Sequence, residues 1–523
     1  MTYGIKIKST DVYFIGLCLL AASMPLSKAG MSIAQMLLVG NWLIEWRISW
    51  KFQSFFRNRT ALILCSLYVL HCIGLIYTVD FDYALKDLKV KLPMLILPLI
   101  IATSEPLNHK KFRIFIIVLS LGLLASSLHA FYNYITHDYQ NIRDICVFVS
   151  HLRISLMICI SVFFLLKFIL SDKEIGKNLK IAFVILILWF VYFLIILESF
   201  TGPLLIIVCT FVLILIYLSR IKKIIVRVAL VSVIILIPVI IFIYVLHMYN
   251  KYFTYTVKED TVLELFTPGG HAYTHNTLDN DVENGNYVSR YICHEEMQKE
   301  WNNRSKINYD STDLRGNNIK YTLIRFLASK GLRKDSAGVA NLGSDEVKAI
   351  EEGIADVNLM NMHSLQARIY ETLWEFKNYN ETDDPNGHSL VMRLEYWRAA
   401  FEIIRKHPLF GVGTGDMNIA FAQQYDEMKS KLSMRWRLKA HNQFLSLGVG
   451  FGIPGILWFS FILFYPLFVR KHRTDFYYII FFIILFCSLL TEDTIESQAG
   501  LTFYAFFNAL LLLGRKEITE KPG

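Results

Sequence analysis

The chain has 523 residues, of which 54% are hydrophobic and only 19% are charged, so it is too apolar for a soluble globular protein. The formal net charge of +9 does not indicate a nucleic-acid partner, because the Lys and Arg residues cluster in short loops between apolar segments. These features predict an all-α polytopic integral membrane protein in contact with membrane lipid.

The N-terminal segment "MTYGIKIKSTDVYFIGLCLLAASMPLSKAG" has two features of a signal peptide. Lys6 and Lys8 precede a short apolar core, and small residues follow it. A second apolar segment comes directly afterwards, which favours an uncleaved first helix over a cleaved leader.

Apolar runs along the chain predict about twelve transmembrane helices. The runs lie near 11–27, 30–45, 60–78, 92–104, 114–136, 147–166, 181–198, 202–219, 228–248, 442–469, 476–490 and 499–514. We therefore divide the chain into helices 1 to 9 (1–248), a large, mainly helical loop domain between helices 9 and 10 (249–440), and helices 10 to 12 with a cytoplasmic tail (441–523).

The short loops differ strongly in their content of Lys and Arg, and this difference predicts the orientation. With the N-terminus inside, eighteen basic residues fall in internal loops: Arg47, Lys51, Arg57, Arg59, Lys110, Lys111, Arg113, Lys167, Lys173, Lys177, Lys180, Arg220, Lys222, Lys223, Arg227, Arg470, Lys471 and Arg473. Five fall in external loops: Lys28, Lys86, Lys89, Lys91 and Arg143. The positive-inside rule then places residues 249–441 outside the cytoplasm.

The long insert is polar and rich in Asn, Glu, Asp and Gly, and we expect it to fold. Helical patterns occur near 287–303, 320–330, 345–353 and 364–378, and Gly331 is predicted to stop the second of them.

A further amphipathic helix is predicted in "SLVMRLEYWRAAFEIIRKHPLFGVGTGD". Leu390, Leu394, Trp397, Phe401 and Ile404 recur at intervals of four and three, and Pro408 is expected to close the helix. The "GVGTGD" that follows lacks the Lys and the preceding strand of a phosphate-binding loop, so we interpret it as a flexible helix exit.

Arg153 lies inside an apolar segment long enough to span a bilayer, "VFVSHLRISLMICISVFFLL". A charge at the centre of a spanning helix costs roughly 2.5 to 3.5 kcal/mol on insertion scales, so it usually faces a partner or a water-filled cavity. The alternative is that Arg153 snorkels to the interface together with His151.

Three groups of polar residues invite a functional interpretation but have simpler explanations. His271 and His275 in "HAYTH" follow "TPGG" and belong to a loop rather than a metal-binding helix. Asp80 and Asp82 in "DFD" resemble the Asp-x-Asp of metal-dependent sugar transferases, although two acidic residues in an external loop are usually solvated. Glu492, Asp493 and Glu496 are interpreted as a solvated loop. We expect no metal and no cofactor.

The order of these features resembles the O-antigen ligase and O-antigen polymerase family. The resemblance rests on an Arg inside a middle helix, R-x-x-x-W-x-x-A followed by H-P-x-x-G-x-G at the end of a large external loop, and H-N-x-x-L opening the next helix. It covers essentially the whole chain and is strongest over residues 389–456. The tail "TEDTIESQAGLTFYAFFNALL" looks like the form found in Bacteroidetes-type members.

This resemblance implies an enzyme of the bacterial inner membrane whose active site faces the periplasm. Members transfer a glycan from undecaprenyl pyrophosphate to an acceptor hydroxyl, on lipid A core for ligases and on another glycan for polymerases. By the family pattern, Arg153 and Arg393 would bind the pyrophosphate and His441 would be the general base, without a metal. Trp397 and Asn442, from the same motifs, are further candidates for substrate binding.

Three alternative functions stay open from the sequence. A ligase is favoured over a polymerase, and a carrier that moves a lipid-linked glycan without reacting with it is a third alternative. A carrier would show internal pseudo-symmetry and helices broken at the midplane. We also expect the carrier lipid's pyrophosphate to be the one anion that compensates the two arginines.

Overall fold

The computed structural model describes residues 8–137, 142–197, 201–219, 221, 224–257, 262–279, 281–469 and 475–516. Seven of the basic residues used above lie outside these ranges: Lys6, Arg220, Lys222, Lys223, Arg470, Lys471 and Arg473. The described residues divide into two compact units, Met1–Tyr217 with Met392–Gly523 and Leu218–Val391. The boundaries predicted at 248 and 440 differ from these units, and the assignment of segments to membrane and periplasm stays a prediction.

The first unit is built almost entirely of helices. In chain order they are α1 (Ser9–Ser23), α2 (Lys28–Ile44), α3 (Ile48–Arg57), α4 (Arg59–Ile73), α5 (Phe81–Lys91), α6 (Pro93–Thr103), α7 (His109–Thr136), α8 (His151–Ser171), α9 (Lys177–Ile196) and α10 (Thr201–Ser219).

The second unit contains α11 (Ile224–Phe253), strands β1 (Val282–Glu283) and β2 (Asn286–Tyr287), and helices α12 (His294–Arg304), α13 (Ile319–Lys330), α14 (Ser336–Ala340), α15 (Ser344–Glu351) and α16 (Ser364–Thr382). Helix α17 (Ser389–Lys406) returns the chain to the first unit, which α18 (Met417–Glu427), α19 (Gln443–Phe468), α20 (Phe476–Thr491) and α21 (Gln498–Leu512) complete.

Each of the twelve apolar runs coincides with a helix, which confirms a mainly helical polytopic chain. In the part of the chain that the structure describes, six of these helices are long and apolar enough to cross a membrane, and α1, α20 and α21 are shorter apolar helices. Helix α6 has only 11 residues, about 16 Å at 1.5 Å per residue, whereas the hydrocarbon core of a bilayer is about 30 Å thick. The count of twelve spans therefore stays a prediction.

Helix α8 is the most enclosed of the candidate spans. It packs against α7, α9 and α20. In its most apolar 18-residue stretch 72% of the residues are buried, compared with 22% in the corresponding stretches of α9 and α10. A side chain on α8 therefore faces other helices on most sides, which matters for Arg153.

Helix α19 is interrupted at Gly452, where the backbone has a positive φ of 67°. The N–H of Ile453 donates to the carbonyl of Pro408 at 2.8 Å, so the segment after α17 supplies the bond that the broken helix lacks. A Cβ on Gly452 would lie 2.5 Å from that carbonyl oxygen. Glycine is required because the two backbones approach so closely.

The "GVGTGD" loop is a docked turn, so the expectation of a flexible helix exit is wrong. Asp416 accepts hydrogen bonds from the backbone N–H groups of Val79 and Asp80 at 2.8 and 2.7 Å. Gly415 packs so tightly that a Cβ would lie 2.1 Å from the Asp80 carbonyl oxygen. The glycines of this motif serve close backbone packing between α4, α5 and α19.

Helix α17 ends two residues before Pro408, as predicted, but only two members of the predicted stripe are packed: Ile404 is buried, and Trp397 is partly buried against the same hydrophobic cluster. The other three, Leu390, Leu394 and Phe401, are 40%, 42% and 59% exposed. The buried face also includes Tyr396 and Ile403 and the small residues Ala399 and Ala400. The packed face is therefore rotated around the helix relative to the predicted stripe.

The second unit confirms three of the four helical patterns in the insert, as α13, α15 and α16. Gly331 ends α13 in the left-handed conformation, with φ of 73°, as predicted. The pattern at 287–303 is wrong in its first part, because residues 282–287 form the β1–β2 hairpin and Ile292 bridges to Lys334. Helix α12 begins only at His294.

Candidate active site

The four polar residues of a short turn between α20 and α21, Glu492, Asp493, Thr494 and Glu496, organise the polar centre of the first unit. We call this segment, residues 492–496, the acidic turn. The prediction of a solvated loop is wrong, because Thr494 is fully buried and the side chains of Glu492 and Glu496 are only 14% and 11% exposed. Carboxylates this enclosed require partners.

Glu492 joins two of the predicted site residues. Arg393 Nη2 donates to Glu492 Oε1 at 3.0 Å, and His441 Nδ1 lies 3.4 Å from Glu492 Oε2. Arg393 comes from α17 and His441 precedes α19, so one carboxylate connects residues 48 positions apart in sequence. The expectation that only a pyrophosphate would compensate Arg393 is therefore wrong, since the protein supplies its own counterion.

Asp493 holds the backbone that carries His441. The N–H groups of His441 and Asn442 donate to the two carboxylate oxygens at 3.0 and 3.1 Å, and the Ser446 hydroxyl donates at 2.6 Å. His441 has a positive φ of 46°, which is uncommon for a residue with a side chain. Such strain persists only where surrounding contacts fix it, and it often marks a functional residue.

Arg153 enters the same turn from α8. Its Nη1 lies 3.4 Å from the Thr494 hydroxyl, and the residue is only 9% exposed. The carboxylates of Glu492 and Asp493 attract its charge. Because Arg153 is enclosed by helices and faces the acidic turn, the snorkelling alternative is wrong.

The charges around Glu492 shift the pKa values of both members of the pair. The hydrogen bond to Glu492 raises the pKa of His441 above its ordinary value, against the opposing effect of burial. Burial by itself would raise the pKa of Glu492, but the bond and charge of His441 and the charges of the two arginines outweigh it and lower that pKa. Glu492 therefore stays ionised, and His441 is a stronger base than a free imidazole.

The hydrogen bond also selects a tautomer of His441. A proton on Nδ1 is donated to Glu492, so the neutral ring carries its lone pair on Nε2. The side chains of His441 and Arg393 are 31% and 26% exposed, whereas Arg153 lies deeper. The partly exposed His441 can accept a proton, and an anion can bind between the partly exposed Arg393 and the buried Arg153.

Asn442 and Trp397 have structural contacts of their own. Asn442 caps α19 by accepting from the N–H groups of Phe444 and Leu445, and it donates to the Leu490 carbonyl at 3.0 Å. Trp397 packs with the hydrophobic cluster around α17, and its indole N–H is buried without a hydrogen-bond partner among the described residues. Substrate binding by either residue stays a prediction.

Glu496, at the other end of the acidic turn, belongs to a buried ion-pair network. Its carboxylate lies 3.1 Å from Lys91 Nζ and 3.9 Å from Lys439 Nζ, and Lys91 also pairs with Asp87 at 2.7 Å. Burial opposes ionisation, but the two lysines dominate and hold the pKa of Glu496 well below its usual value. Lys91 is fully buried, so this network fixes α5 to the acidic turn.

The two histidines of "HAYTH" have ordinary hydrogen-bond partners. His271 Nδ1 lies 2.8 Å from the carboxylate of Glu296. Both ring nitrogens of His275 are bonded to backbone, to the Glu264 carbonyl at 2.8 Å and to the Tyr291 N–H at 3.2 Å. Their contacts are those of loop-stabilising residues.

Two other places where acidic side chains could bind a metal have structural contacts instead. Asp80 caps the start of α5 by accepting a backbone hydrogen bond. Among the residues described, His109, Asp172 and Glu174 bring possible ligand atoms within 4.8 Å of one another. Arg113 already pairs with both carboxylates, at 2.6 and 3.4 Å, which favours an ion-pair cluster over a cation site.

Sequence reasoning placed Arg153, Arg393 and His441 at one site, and the structure directs all three towards residues 492–494. It missed Glu492, Asp493 and the ion-pair network of Glu496. One signal was available, because "TEDTIESQAG" lies on the predicted external side between two apolar helices. Nothing in its spacing identifies which basic residue each carboxylate meets.

Comparison with known proteins bears on the family of this chain, and the roles of the site residues stay predictions. A family model described as O-antigen ligase matches residues 353–460, a range that includes Arg393, Trp397, His441 and Asn442. Arg153 and the acidic turn lie outside the match, and the likeness of the tail to Bacteroidetes-type members stays a prediction. No curated protein matches the chain. Residues 353–460 are therefore similar to the O-antigen ligase family, which confirms the resemblance of this helical membrane protein to the O-antigen ligase and polymerase family.

Proposed function

We propose that the protein transfers a glycan from undecaprenyl pyrophosphate to an acceptor hydroxyl at the periplasmic face of the inner membrane. The observation that carries this proposal is the contact of one carboxylate, Glu492, with both Arg393 and His441. A base and an anion-binding group are thereby held side by side. Glycan transfer from a pyrophosphate requires both.

The two arginines are suited to the leaving group. Negative charge develops on the pyrophosphate as the glycosidic bond breaks, and fixed guanidinium groups in an enclosed site stabilise it. Arg393 donates to Glu492 through Nη2, and a guanidinium has five N–H donors, so others remain for phosphate oxygens. Arg153, directed at the same turn from α8, adds a second positive charge. The arginines supply this stabilisation without a metal.

His441 is suited to activate the acceptor. In the tautomer selected by Glu492, Nε2 takes the proton from the acceptor hydroxyl while the oxygen attacks the anomeric carbon. The new carbon–oxygen bond forms, the bond to the pyrophosphate breaks, and the pyrophosphate leaves with the electron pair. The ionised Glu492 stabilises the imidazolium that results.

The same pair favours a transferase over a carrier. A carrier that moves an unreacted lipid-linked glycan needs an anion site but no general base. The strained backbone of His441 and the carboxylate that orients its ring are typical of a general-base site, which such a carrier does not need. Lipid A core is the proposed acceptor, and a growing glycan, which would make the protein a polymerase, is the alternative.

Transfer by purified protein tests this proposal. The full chain in lipid nanodiscs would be given an undecaprenyl-pyrophosphate glycan with either lipid A core or a second lipid-linked glycan as acceptor. We expect product on lipid A core, with activity retained in excess EDTA. Product only on the second glycan would identify a polymerase. Loss of activity in EDTA with recovery on adding Mg²⁺ or Mn²⁺, or binding of the donor without any transfer, would contradict the proposal.

A further inference from the structure

The second unit contains a pocket of about 250 Å³ whose lining, among the described residues, includes three basic side chains and no acidic one. Two segments of the chain supply this lining, one with Tyr287, Arg290 and Tyr291 and the other with Arg333 and Lys334. We call it the cationic pocket. It lies in the long insert, outside the site described above.

Arg290 is the least compensated charge in this pocket. Its guanidinium stacks on the Tyr287 ring at 3.4 Å from the ring centroid. Its Nε is buried and has no hydrogen-bond partner among the described residues. A stacked guanidinium keeps its N–H groups in the plane of the stack, where an anion can reach them. A buried donor without an acceptor is uncommon in folded proteins, so this Nε can donate to an oxygen of a ligand.

Arg333, from the second segment, also stacks on a tyrosine ring. It stacks on the Tyr291 ring at 3.4 Å and also pairs with Glu264 at 2.9 Å. Lys334 is buried beside it and donates to the carbonyls of Tyr287 and Arg290 at 2.6 and 3.0 Å. Two guanidinium planes and an ammonium therefore surround one space.

The two segments are held rigidly by the backbone. The N–H of Lys334 donates to the Tyr291 carbonyl at 3.1 Å, and the N–H of Cys293 donates to the Lys334 carbonyl at 2.8 Å. Gly331 turns the chain out of α13 in the left-handed conformation, which directs residues 332–334 along the pocket. Charged groups fixed in advance bind a ligand with less loss of conformational freedom.

Another cavity in the same unit differs from the cationic pocket in the charges of its lining. It has a volume of about 150 Å³ and is lined by both signs of charge, including Glu283, Arg325 and Lys377. Arg325 and Glu283 pair there at 2.7 Å. Within the described part of the chain Arg290 has no such ion-pair partner in the cationic pocket, so the pocket favours a negative ligand.

We infer that the cationic pocket binds an acidic saccharide, a sugar unit that carries a carboxylate or a phosphate. The oxyanion would lie between Arg290 and Arg333, where a planar guanidinium can bind two oxygens at once. The volume corresponds to about eight water molecules at about 30 Å³ each, which exceeds a free oxyanion and suits a sugar ring. The inference rests on the proposed function only in assigning that sugar to the transferred or accepting glycan.

Binding of a matched pair of oligosaccharides to the purified full chain tests the inference. The probes are an oligogalacturonate trimer and its neutral methyl ester, with inorganic phosphate as a third titrant, measured by calorimetry. We expect the acidic trimer to bind and the ester to bind at least about tenfold more weakly, as when a charge-assisted hydrogen bond is lost. Equal binding of acid and ester, or binding of phosphate as tight as that of the trimer, would overturn the inference.

Two variants locate the interaction. Arg290→Gln should weaken binding of the trimer roughly 10- to 100-fold, whereas Arg315→Gln, at an exposed position of the same unit, should leave it unchanged. Arg290→Lys keeps the charge without the planar stack and should give an intermediate loss, which maintains the test if the Gln variant does not fold. Wild-type binding by Arg290→Gln would contradict the inference. Binding is measured without turnover, so His441→Ala, which tests the proposed function, should bind the trimer normally.

Discussion

Two glutamates of the acidic turn, Glu492 and Glu496, have similar burial and different partners. Glu492 pairs with Arg393 and His441, whose side chains are 26% and 31% exposed. Glu496 pairs with Lys91, which is fully buried, and lies near Lys439, whose side chain is 19% exposed. One carboxylate faces groups that a substrate can reach, and the other faces mainly the interior.

This difference separates a reactive site from a structural one within five residues. The partners of Glu492 are partly exposed, so they can exchange contacts with an incoming anion or hydroxyl. Removing one member of a buried ion pair leaves a charge without compensation, so the network of Glu496 is expected to be fixed. Each prediction below changes one side of this comparison.

The largest expected effect comes from His441. Replacing it with Ala removes the proposed base, so transfer should fall by roughly 10² to 10⁴-fold while binding of the donor is largely retained. Transfer rate and membrane abundance are measured on the same preparation. A well-expressed variant with a near wild-type rate would remove His441 from the mechanism.

Glu496→Gln tests the structural role of the buried ion-pair network. The substitution leaves the buried Lys91 with Asp87 as its remaining partner, so we expect a loss of about 3 kcal/mol in the free energy of unfolding. The measurement is the melting temperature of the detergent-solubilised protein. Glu492→Gln, the matched control, should lower the melting temperature less. The opposite order would show that the two carboxylates have been assigned the wrong roles.

Arg393→Lys tests whether the planar guanidinium of Arg393 is needed for transfer. An ammonium keeps the charge but cannot bind Glu492 and two phosphate oxygens in one plane, so transfer should fall by roughly 10- to 100-fold. Arg398, on the same helix with a 68% exposed side chain, provides a control as Arg398→Lys. Equal rates for the two variants would mean that the geometry of Arg393 does not matter.

The smallest effect is a shift in the pH dependence. A base must be neutral to act, so transfer should fall as the pH drops through the pKa of His441, which Glu492 raises. Glu492→Gln removes that charge and lowers the pKa of His441, so the acidic limb of the rate profile should move to lower pH. A limb that stays in place would mean that another group controls it.

The sequence predicted the helices well because hydrophobic periodicity is a local property. Each apolar run became a helix, and Gly331 and Pro408 ended helices as their backbone chemistry requires. The packed face of α17 was predicted only in part, because Trp397 and Ile404 pack as expected whereas Leu390, Leu394 and Phe401 are exposed. Periodicity identifies an amphipathic helix, but the neighbours that the fold places beside the helix decide which side chains are buried.

The site was predicted only in part for a related reason. Arg153, Arg393 and His441 were found because each is unusual in its own segment or belongs to a family motif. Glu492 and Asp493 have no such local signal, and the partners that they bind through hydrogen bonds lie about 50 to 100 residues away along the chain. Spacing alone could not say that the fold places these acids against those bases.

The most direct test of a shared site is a double-mutant cycle in transfer rate between His441→Ala and Glu492→Gln. If the two residues act as one unit, the double variant should be no slower than His441→Ala alone, since Glu492 acts through the ring that has been removed. The same cycle with Glu496→Gln, scaled to the amount of folded protein, serves as the control and should be additive. Additive losses for His441 and Glu492 would contradict the account, because they would mean that the two residues act independently.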